Sequence, residues 1–325
     1  MNSIPLQVLL AMILDAMIGD PRQWPHPVRL IARWAVFLEP KTRTSFQNQR
    51  IAGLVVALVV IASVCIATHA LLGLAGYAHP LARDVISILI IYTGIARHDL
   101  AKHARDIYQA LTTMDITASR RLVGMICGRD TEGLDAQGVV RAAVESVAEN
   151  TVDGVTAPIF FAFLGGPVGI MAYKAISTLD SLFGYQNARY RDFGWAPARL
   201  DDLAAFVPSR LTAVIIPAAA RLCGLRAMES LRILRRDRLK HASPNSGHAE
   251  AAFAGALGVR LGGPASYDGM VHEKPFLGDP IAAPTPFTIV ESIRLMNMTS
   301  VLFFVLLSVL FYGTGWLYHL VATGA

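Results

Sequence analysis

The sequence predicts an all-α, polytopic integral membrane protein with cytoplasmic helical loops, and three observations carry that expectation. Hydrophobic residues make up 54% of the 325-residue chain and charged residues only 16%, against about 25% charged in an ordinary soluble domain. The apolar residues are gathered into long uncharged runs, which is the distribution of membrane spans rather than of a soluble core. Strand signals, meaning short alternating runs bounded by turn residues, are nearly absent.

Ile4 to Gly19 is apolar around a single acid, Asp15. It has no basic leader and no small-residue cleavage site, so a span near residues 4–19 is expected rather than a cleaved signal peptide. Ile51 to Gly76 carries no charge and exceeds the ~20 residues that cross a bilayer as a helix. After His79-Pro80 a further apolar run gives an expected span near 80–97. Leu295 to Ala325 is uncharged and ends in Tyr312, Trp316 and Tyr318, aromatics suited to the headgroup level; its span is expected near 296–320. Two more apolar runs are interrupted. Residues 155–172 contain Pro158 and Gly165-Gly166-Pro167, and residues 203–222 contain Pro208, Arg210, Pro217 and Arg221. Broken backbone at membrane depth needs burial in protein or a cavity to line, and paired interruptions point to a binding site. Both are expected to be broken or re-entrant segments, with two kinked ordinary spans as the alternative.

The polar stretches 20–50, 97–153 and 225–294 gather the lysines and arginines between the apolar runs and are expected on the cytoplasmic side. Helical spacing covers Arg97 to Leu111, Leu134 to Asn150, Leu225 to His241 and Ala249 to Gly258. Residues 1–325 read as a single membrane-embedded domain. The net charge is +5 without a basic stripe interleaved with aromatics, so nucleic acid is not an expected partner. Cys65, Cys127 and Cys223 lie too far apart in sequence to suggest a disulfide or a zinc site.

Residues able to carry chemistry cluster in four places. Arg141, Glu145, Glu149 and Asp153 recur every four residues, after Asp135 as a candidate cap. Carboxylates in line at the mouth of a membrane segment suit Mg²⁺, which takes hard oxygen ligands shared with phosphates; a solvated face with an Arg141–Glu145 pair is the alternative. Lys174 to Asp202 is dense in polar and aromatic residues, including Asp180, Arg189, Tyr190, Arg191, Asp192, Asp201 and Asp202. It reads as a site offering arginines to phosphates and carboxylates to a metal, or as an interfacial loop anchored by its aromatics. Ser243, Asn245, Ser246 and Gly247 precede an alanine-rich helix, where backbone amides and the helix dipole can receive a phosphate; the same residues make an ordinary cap. Asp15, Asp20 and Arg29 sit at the first span, and an acid inside an apolar helix is a functional candidate unless it is paired for packing.

Leu14-Asp15, Gly19-Asp20-Pro21, His26-Pro27-Val28-Arg29, Gly128-Arg-Asp-Thr131, Glu145-Ser-Val-Ala-Glu-Asn-Thr-Val-Asp-Gly154, Tyr190-Arg-Asp-Phe-Gly194, Arg199-Leu-Asp-Asp202 and Ser243-Pro-Asn-Ser-Gly247 follow one another in this order. The set resembles the adenosylcobinamide-phosphate synthase family, the CobD/CbiB type of cobalamin biosynthesis protein, over nearly the whole chain. Ser177 stands where that pattern has asparagine and Gln186 where it has a basic residue. The resemblance implies a multi-pass enzyme of the bacterial inner membrane with its active site facing the cytoplasm. It implies an ATP- and Mg²⁺-dependent ligase that joins adenosylcobyric acid to (R)-1-aminopropan-2-ol O-phosphate or ethanolamine phosphate. The bilayer and other cobalamin-assembly enzymes are the further partners implied. On that reading Asp15, Asp20, Lys174, Asp180 and Asp192 are candidates for catalysis. Arg29, Arg129, Arg189, Arg191, Arg210, Ser243, Asn245, Ser246 and Gly247 are candidates for phosphate or substrate, and Glu145, Glu149, Asp153, Asp201 and Asp202 for metal. A second reading is a non-catalytic signalling or accessory protein of the inner membrane, related to β-lactamase regulation.

Overall fold

A computed structural model describes residues 4–20, 26–185, 187–267 and 269–323, with side chains as far as Gly313. The chain divides into two compact units. Unit 1 comprises residues 1–96, 157–205 and 306–325, and unit 2 comprises residues 97–156 and 206–305.

Unit 1 is built on α1 (Ile4–Ile18), α2 (Pro27–Ser45), α3 (Gln49–Ala78), α4 (Pro80–Gly94), α8 (Ala157–Phe183) and α9 (Trp195–Ala204). Unit 2 holds α5 (Arg97–Thr112), α6 (Ile116–Val123), α7 (Ala136–Asn150), a π-helical turn (Thr151–Thr156), α10 (Phe206–Leu222), α11 (Ala227–Asp237) and α12 (Ser246–Leu257). The last helix, α13 (Pro286–Thr323), contributes to both. Two small antiparallel pairs complete unit 2: β1 (Leu261–Gly262) with β4 (Phe276–Leu277), and β2 (Ala265–Tyr267) with β3 (Met270–His272).

Among the described residues, three helical stretches are long and apolar enough to cross a membrane: Gln49–Ala78, Ala136–Phe183 and Pro286–Gly313. At 30 residues, α3 runs roughly 45 Å, well beyond the about 30 Å of hydrocarbon. The chain is a helical membrane protein. The expected spans near 4–19 and 80–97 form helices of 15 residues each, below the ~20 that cross untilted. Asn48 and His79 open α3 and α4, their side chains accepting from the first free amides.

The interruption expected in residues 155–172 is present, whereas α10 runs as one helix from Phe206 to Leu222 through Pro208 and Pro217. In α8 the backbone leaves the helix at Gly165 and Gly166, directly before Pro167. Proline removes an amide donor and crowds the preceding turn, and Gly166 takes φ +58°, which glycine adopts without penalty. Residues 203–222 break at Ala205 between α9 and α10, which make a fourth candidate span only if taken together.

In unit 2 the centre is α12, of which all twelve residues are buried, as expected of a helix apolar on every side. It packs directly on α11: a Cβ at Gly255 would stand 2.5 Å from Glu229 O and 2.7 Å from Ser230 Cα. Asp237 ends α11 with a fully buried carboxylate. It takes a hydrogen bond from the Gly278 amide at 2.8 Å and pairs with Arg236 at 2.8 Å and Lys240 at 2.6 Å. Burial alone would raise this carboxyl, but the hydrogen bonds from Arg236, Lys240 and Gly278 outweigh it and hold it far below the ordinary range. A depressed folded-state value gives stability that is full above the unfolded carboxylate value, about 4, and lost as pH falls through and below it. The unfolding midpoint should therefore fall more steeply below pH about 4 in the native chain than in Asp237→Asn. Thermal melts of the two proteins from pH 6 downward check this, and parallel curves would refute it.

Candidate active site

α7 frames the richest cluster of functional groups in unit 2. Asp135 caps it, accepting from the Gly138 amide at 2.6 Å, and Glu145 and Glu149 follow one turn apart on one face. Glu145 is 5% exposed and both its oxygens are engaged. Arg129 donates to Oε2, and the Gly262 amide donates to Oε1 at 2.6 Å. Burial works against the charge of Arg129, yet the attraction of Glu145 prevails and its pKa is raised. The adjacent Asp130 fastens the β2–β3 hairpin, taking hydrogen bonds from Ser266 Oγ at 2.6 Å and from the Gly269 amide at 2.9 Å.

The start of α12 supplies the other wall. Ser246 Oγ donates to Glu149 Oε1 at 3.3 Å. One turn on, Glu250 is 5% exposed, with Oε1 at 3.7 Å from His241 Nε2. His241 Nδ1 accepts from the Ser243 amide at 3.0 Å, which places the proton of the neutral ring on Nε2, toward Glu250. Burial lowers the pKa of His241 against the pull of Glu149, so the ring is neutral at pH 7. Burial raises the Glu250 carboxyl well above the ordinary range; Glu149 and Glu145 push the same way, and Lys274 and Arg129 oppose them. Lys274 donates to the Tyr267 hydroxyl, with its ammonium 4.6 Å over that ring.

This is a mixed-charge cluster with Glu145 and Glu250 buried and Glu149 exposed: three carboxylates, a guanidinium, an ammonium and a neutral imidazole acting on one another. Crowding of titratable groups, with the pKa values of Arg129, His241 and Glu250 displaced, marks functional sites.

The family model for the CobD/CbiB protein matches residues 8–296. The chain belongs to the CobD/CbiB family. It is 44% identical to the cobalamin biosynthesis protein CobD of Pelobacter propionicus, over 91% of this chain and 92% of that protein. It is 40% identical to the CobD of Leptospira interrogans, over 96% and 99%, and 43% identical to the cobalamin biosynthesis protein CbiB of Salmonella arizonae, over 88% and 91%. No solved structure matches the chain.

The candidate residues named from the sequence divide between the two units. Arg129, Glu145, Glu149, Asp153, Arg210, Ser243, Asn245, Ser246 and Gly247 fall in unit 2, and Asp15, Asp20, Arg29, Lys174, Asp180, Arg189, Arg191, Asp192, Asp201 and Asp202 in unit 1. Among the described residues no three His, Cys, Asp or Glu side chains form a group able to hold a metal ion. Of the carboxylates expected for metal, Glu145 is turned to Arg129 and the Gly262 amide. An exposed Glu149 beside the Ser246 hydroxyl does fit a Mg²⁺ carried on substrate phosphates, which takes only one or two protein carboxylates.

Arg210 spans a loop rather than projecting freely. It donates to Asn245 Oδ1 at 2.6 Å, Ser209 Oγ at 3.0 Å and Pro244 O at 3.1 Å, which sets the entry to α12. His248 in the first turn of that helix is pushed down to about 4 by burial and by Arg210 and Arg238.

In unit 1, Asp20 lies 3.6 Å from His26, whose pKa burial lowers; Asp20 opposes that shift and Lys174 and Arg29 reinforce it. Asp20, His26, Arg29 and Lys174 thus form a second charged group, with Asp15 buried in α1. Pro21 of the first motif and Gln186 lie outside the described residues. The Tyr190–Gly194 block is a packed knot. Glu39, 4% exposed, pairs with Arg43 at 2.9 Å and Arg189 at 3.2 Å. Arg43 stacks over Phe193 at 4.2 Å, and Phe183 packs edge-on against Phe193. Asp192 meets Arg50 in an exposed pair at 3.0 Å, and Arg191 is exposed.

Glu250, His241 and Tyr267 carry no weight in the sequence reading. The signal for Glu250 was available: it is the only charged residue between Ala249 and Leu257, and a buried acid is expensive wherever it lacks a role or partner.

Proposed function

We propose that this chain is the ATP-dependent ligase that joins adenosylcobyric acid to (R)-1-aminopropan-2-ol O-phosphate or ethanolamine phosphate, giving adenosylcobinamide phosphate at the cytoplasmic face of the bacterial inner membrane. The observation that carries the reading is the cluster of Arg129, Glu145, Glu149, His241, Glu250 and Lys274 in a chain whose relatives are cobalamin biosynthesis proteins. Amide formation needs an activated carboxylate, here an acyl phosphate made from ATP, and an uncharged amine. Lys274 and Arg129 supply cations for phosphate oxygens, with Glu145, itself held by the Gly262 amide, fixing the guanidinium. Glu149 and Ser246 would hold a Mg²⁺ borne by the nucleotide. That ion supplies charge neutralisation on the transferring phosphoryl group. Immobilising both substrates on a preformed wall lowers the entropic part of the barrier.

Purified protein in detergent, given adenosylcobyric acid, ATP, Mg²⁺ and each aminoalcohol phosphate in turn, should yield the amide with stoichiometric release of phosphate. Failure with both amines overturns the proposal. Glu149→Gln should leave the melting temperature near that of the native chain and raise the Mg²⁺ concentration needed for half-maximal rate about tenfold or more, the scale of losing a charge-assisted contact. An unchanged Mg²⁺ dependence would return Glu149 to a solvated surface role.

A further inference from the structure

The outward face of α11 mixes cations with large apolar side chains in a way that packing does not require. Its inward face, Ser230, Ile233, Leu234 and Asp237, is buried. Met228, Leu231, Arg232, Arg235 and Arg236 line one open cavity of about 470 Å³ on the other side. Met228 is 77% exposed and Leu239, just past the helix, 75%, and apolar surface of this kind gains nothing from facing water. Glu229, Asp237 and Asp279 pair with Arg232 and Arg236, and Arg235 stands outside those pairs. A guanidinium carries five N–H donors, so the paired arginines keep donors to spare beside Arg235.

The place of α11 in unit 2 says what meets this face. Cys223, in the turn that leads into the helix, donates through Sγ to the Arg294 carbonyl of α13 at 3.7 Å. Arg226, at the N-cap of α11, is within electrostatic reach of Glu291 on the same helix. Arg294 is the last charged residue before the long uncharged run that begins at Leu295, in a helix long and apolar enough to cross the membrane. The start of α11 is therefore fixed at the level where α13 passes from polar to apolar surroundings.

We infer that the outward face of α11 binds anionic phospholipid of that bilayer, with the headgroup phosphate on Arg235 and the spare donors of Arg232 and Arg236, and the upper acyl carbons against Met228 and Leu231. The planar fork of arginine matches phosphate oxygens. A basic helix with an apolar stripe is the form that lies in a membrane interface, and its cations are drawn to an anionic leaflet. This binding is independent of the ligase reading and stands without it.

The test uses the full chain with its three native cysteines changed to serine and a fluorophore on Met228→Cys. The protein is placed in nanodiscs whose lipid carries a nitroxide on the upper acyl chain. Quenching should be weak in phosphatidylcholine and grow as phosphatidylglycerol replaces it. Arg235→Gln should raise the phosphatidylglycerol fraction for half-maximal quenching about fivefold, or put it beyond reach, which is the worth of one cation at an anionic surface. Inorganic phosphate should leave the quenching as chloride of equal ionic strength does; displacement by phosphate alone would mark a site for free anions and overturn the lipid assignment. Equal quenching in both lipids, or a preference that survives Arg235→Gln, overturns the proposal as well. A fluorophore that neither lipid quenches also refutes it and leaves this face to an acidic protein. Leu239→Cys gives the same comparison if the Met228 variant does not fold.

Discussion

Gly194→Ala is expected to abolish accumulation of folded protein. A Cβ at that position would lie 1.7 Å from Phe183 O and 2.9 Å from Tyr190 O, both backbone atoms that no rotamer change can move. Overpacking a core costs about 1–3 kcal/mol where side chains can shift, so a clash with fixed backbone should exceed the upper end of that range. The surrounding knot multiplies the damage, because Phe183 and Phe193 are fully buried against each other. A neighbouring contact gives an internal check: Gly53 on α3 would bring a Cβ to 1.8 Å from Phe193 O, so Gly53→Ala should fail in the same way. Gly133→Ala, with open space around the new methyl, should behave as the native chain. Size-exclusion profiles and melting curves in detergent decide the matter; a monodisperse Gly194→Ala protein with native melting would refute the packing argument.

Arg129→Ala is expected to cost about 3–5 kcal/mol, the range for removing one partner of a buried ion pair. The loss comes less from the contact than from what is left behind. Glu145 stays 5% exposed with only the Gly262 amide to support its charge. Replacing the acid as well, in Arg129→Ala with Glu145→Gln, should therefore recover most of the stability, because the residual group is neutral and the amide keeps an acceptor. Activity should not recover, since the double variant still lacks a cation for phosphate. Stability restored without activity identifies the pair as a phosphate-facing device. If the double variant is no more stable than the single, the buried charge is not the source of the cost.

The helices of this protein were legible wherever a single period ran unbroken. Asp135 announced α7, and the Gly165-Gly166-Pro167 triplet announced a break, because capping and proline chemistry act within a few residues of the chain. The Glu145–Glu149 face was legible for the same reason. What surrounds it was not. The partners of Glu145 come from Arg129 and Gly262, 16 and 117 positions away, and nothing local ties a glycine amide in a short strand to a glutamate on a distant helix. The arginines of Tyr190–Gly194 show the converse limit. Their density marked the block as special, yet composition could not separate a guanidinium awaiting phosphate from one locked on Glu39, as Arg189 is at 3.2 Å.

Alanine and glycine have no side-chain rotamers to freeze, so burying α12 sacrifices almost no side-chain conformational entropy on folding. A helix so assembled is a stiff mount, wedged against α11 at a glycine, and the residues it carries inherit that stiffness. The backbone that carries Ser246, His248 and Glu250 is set when the chain folds. The reorganisation that a flexible loop would undergo at each turnover is completed here once, before any substrate arrives, which is the condition under which fixed dipoles and charges lower a barrier most.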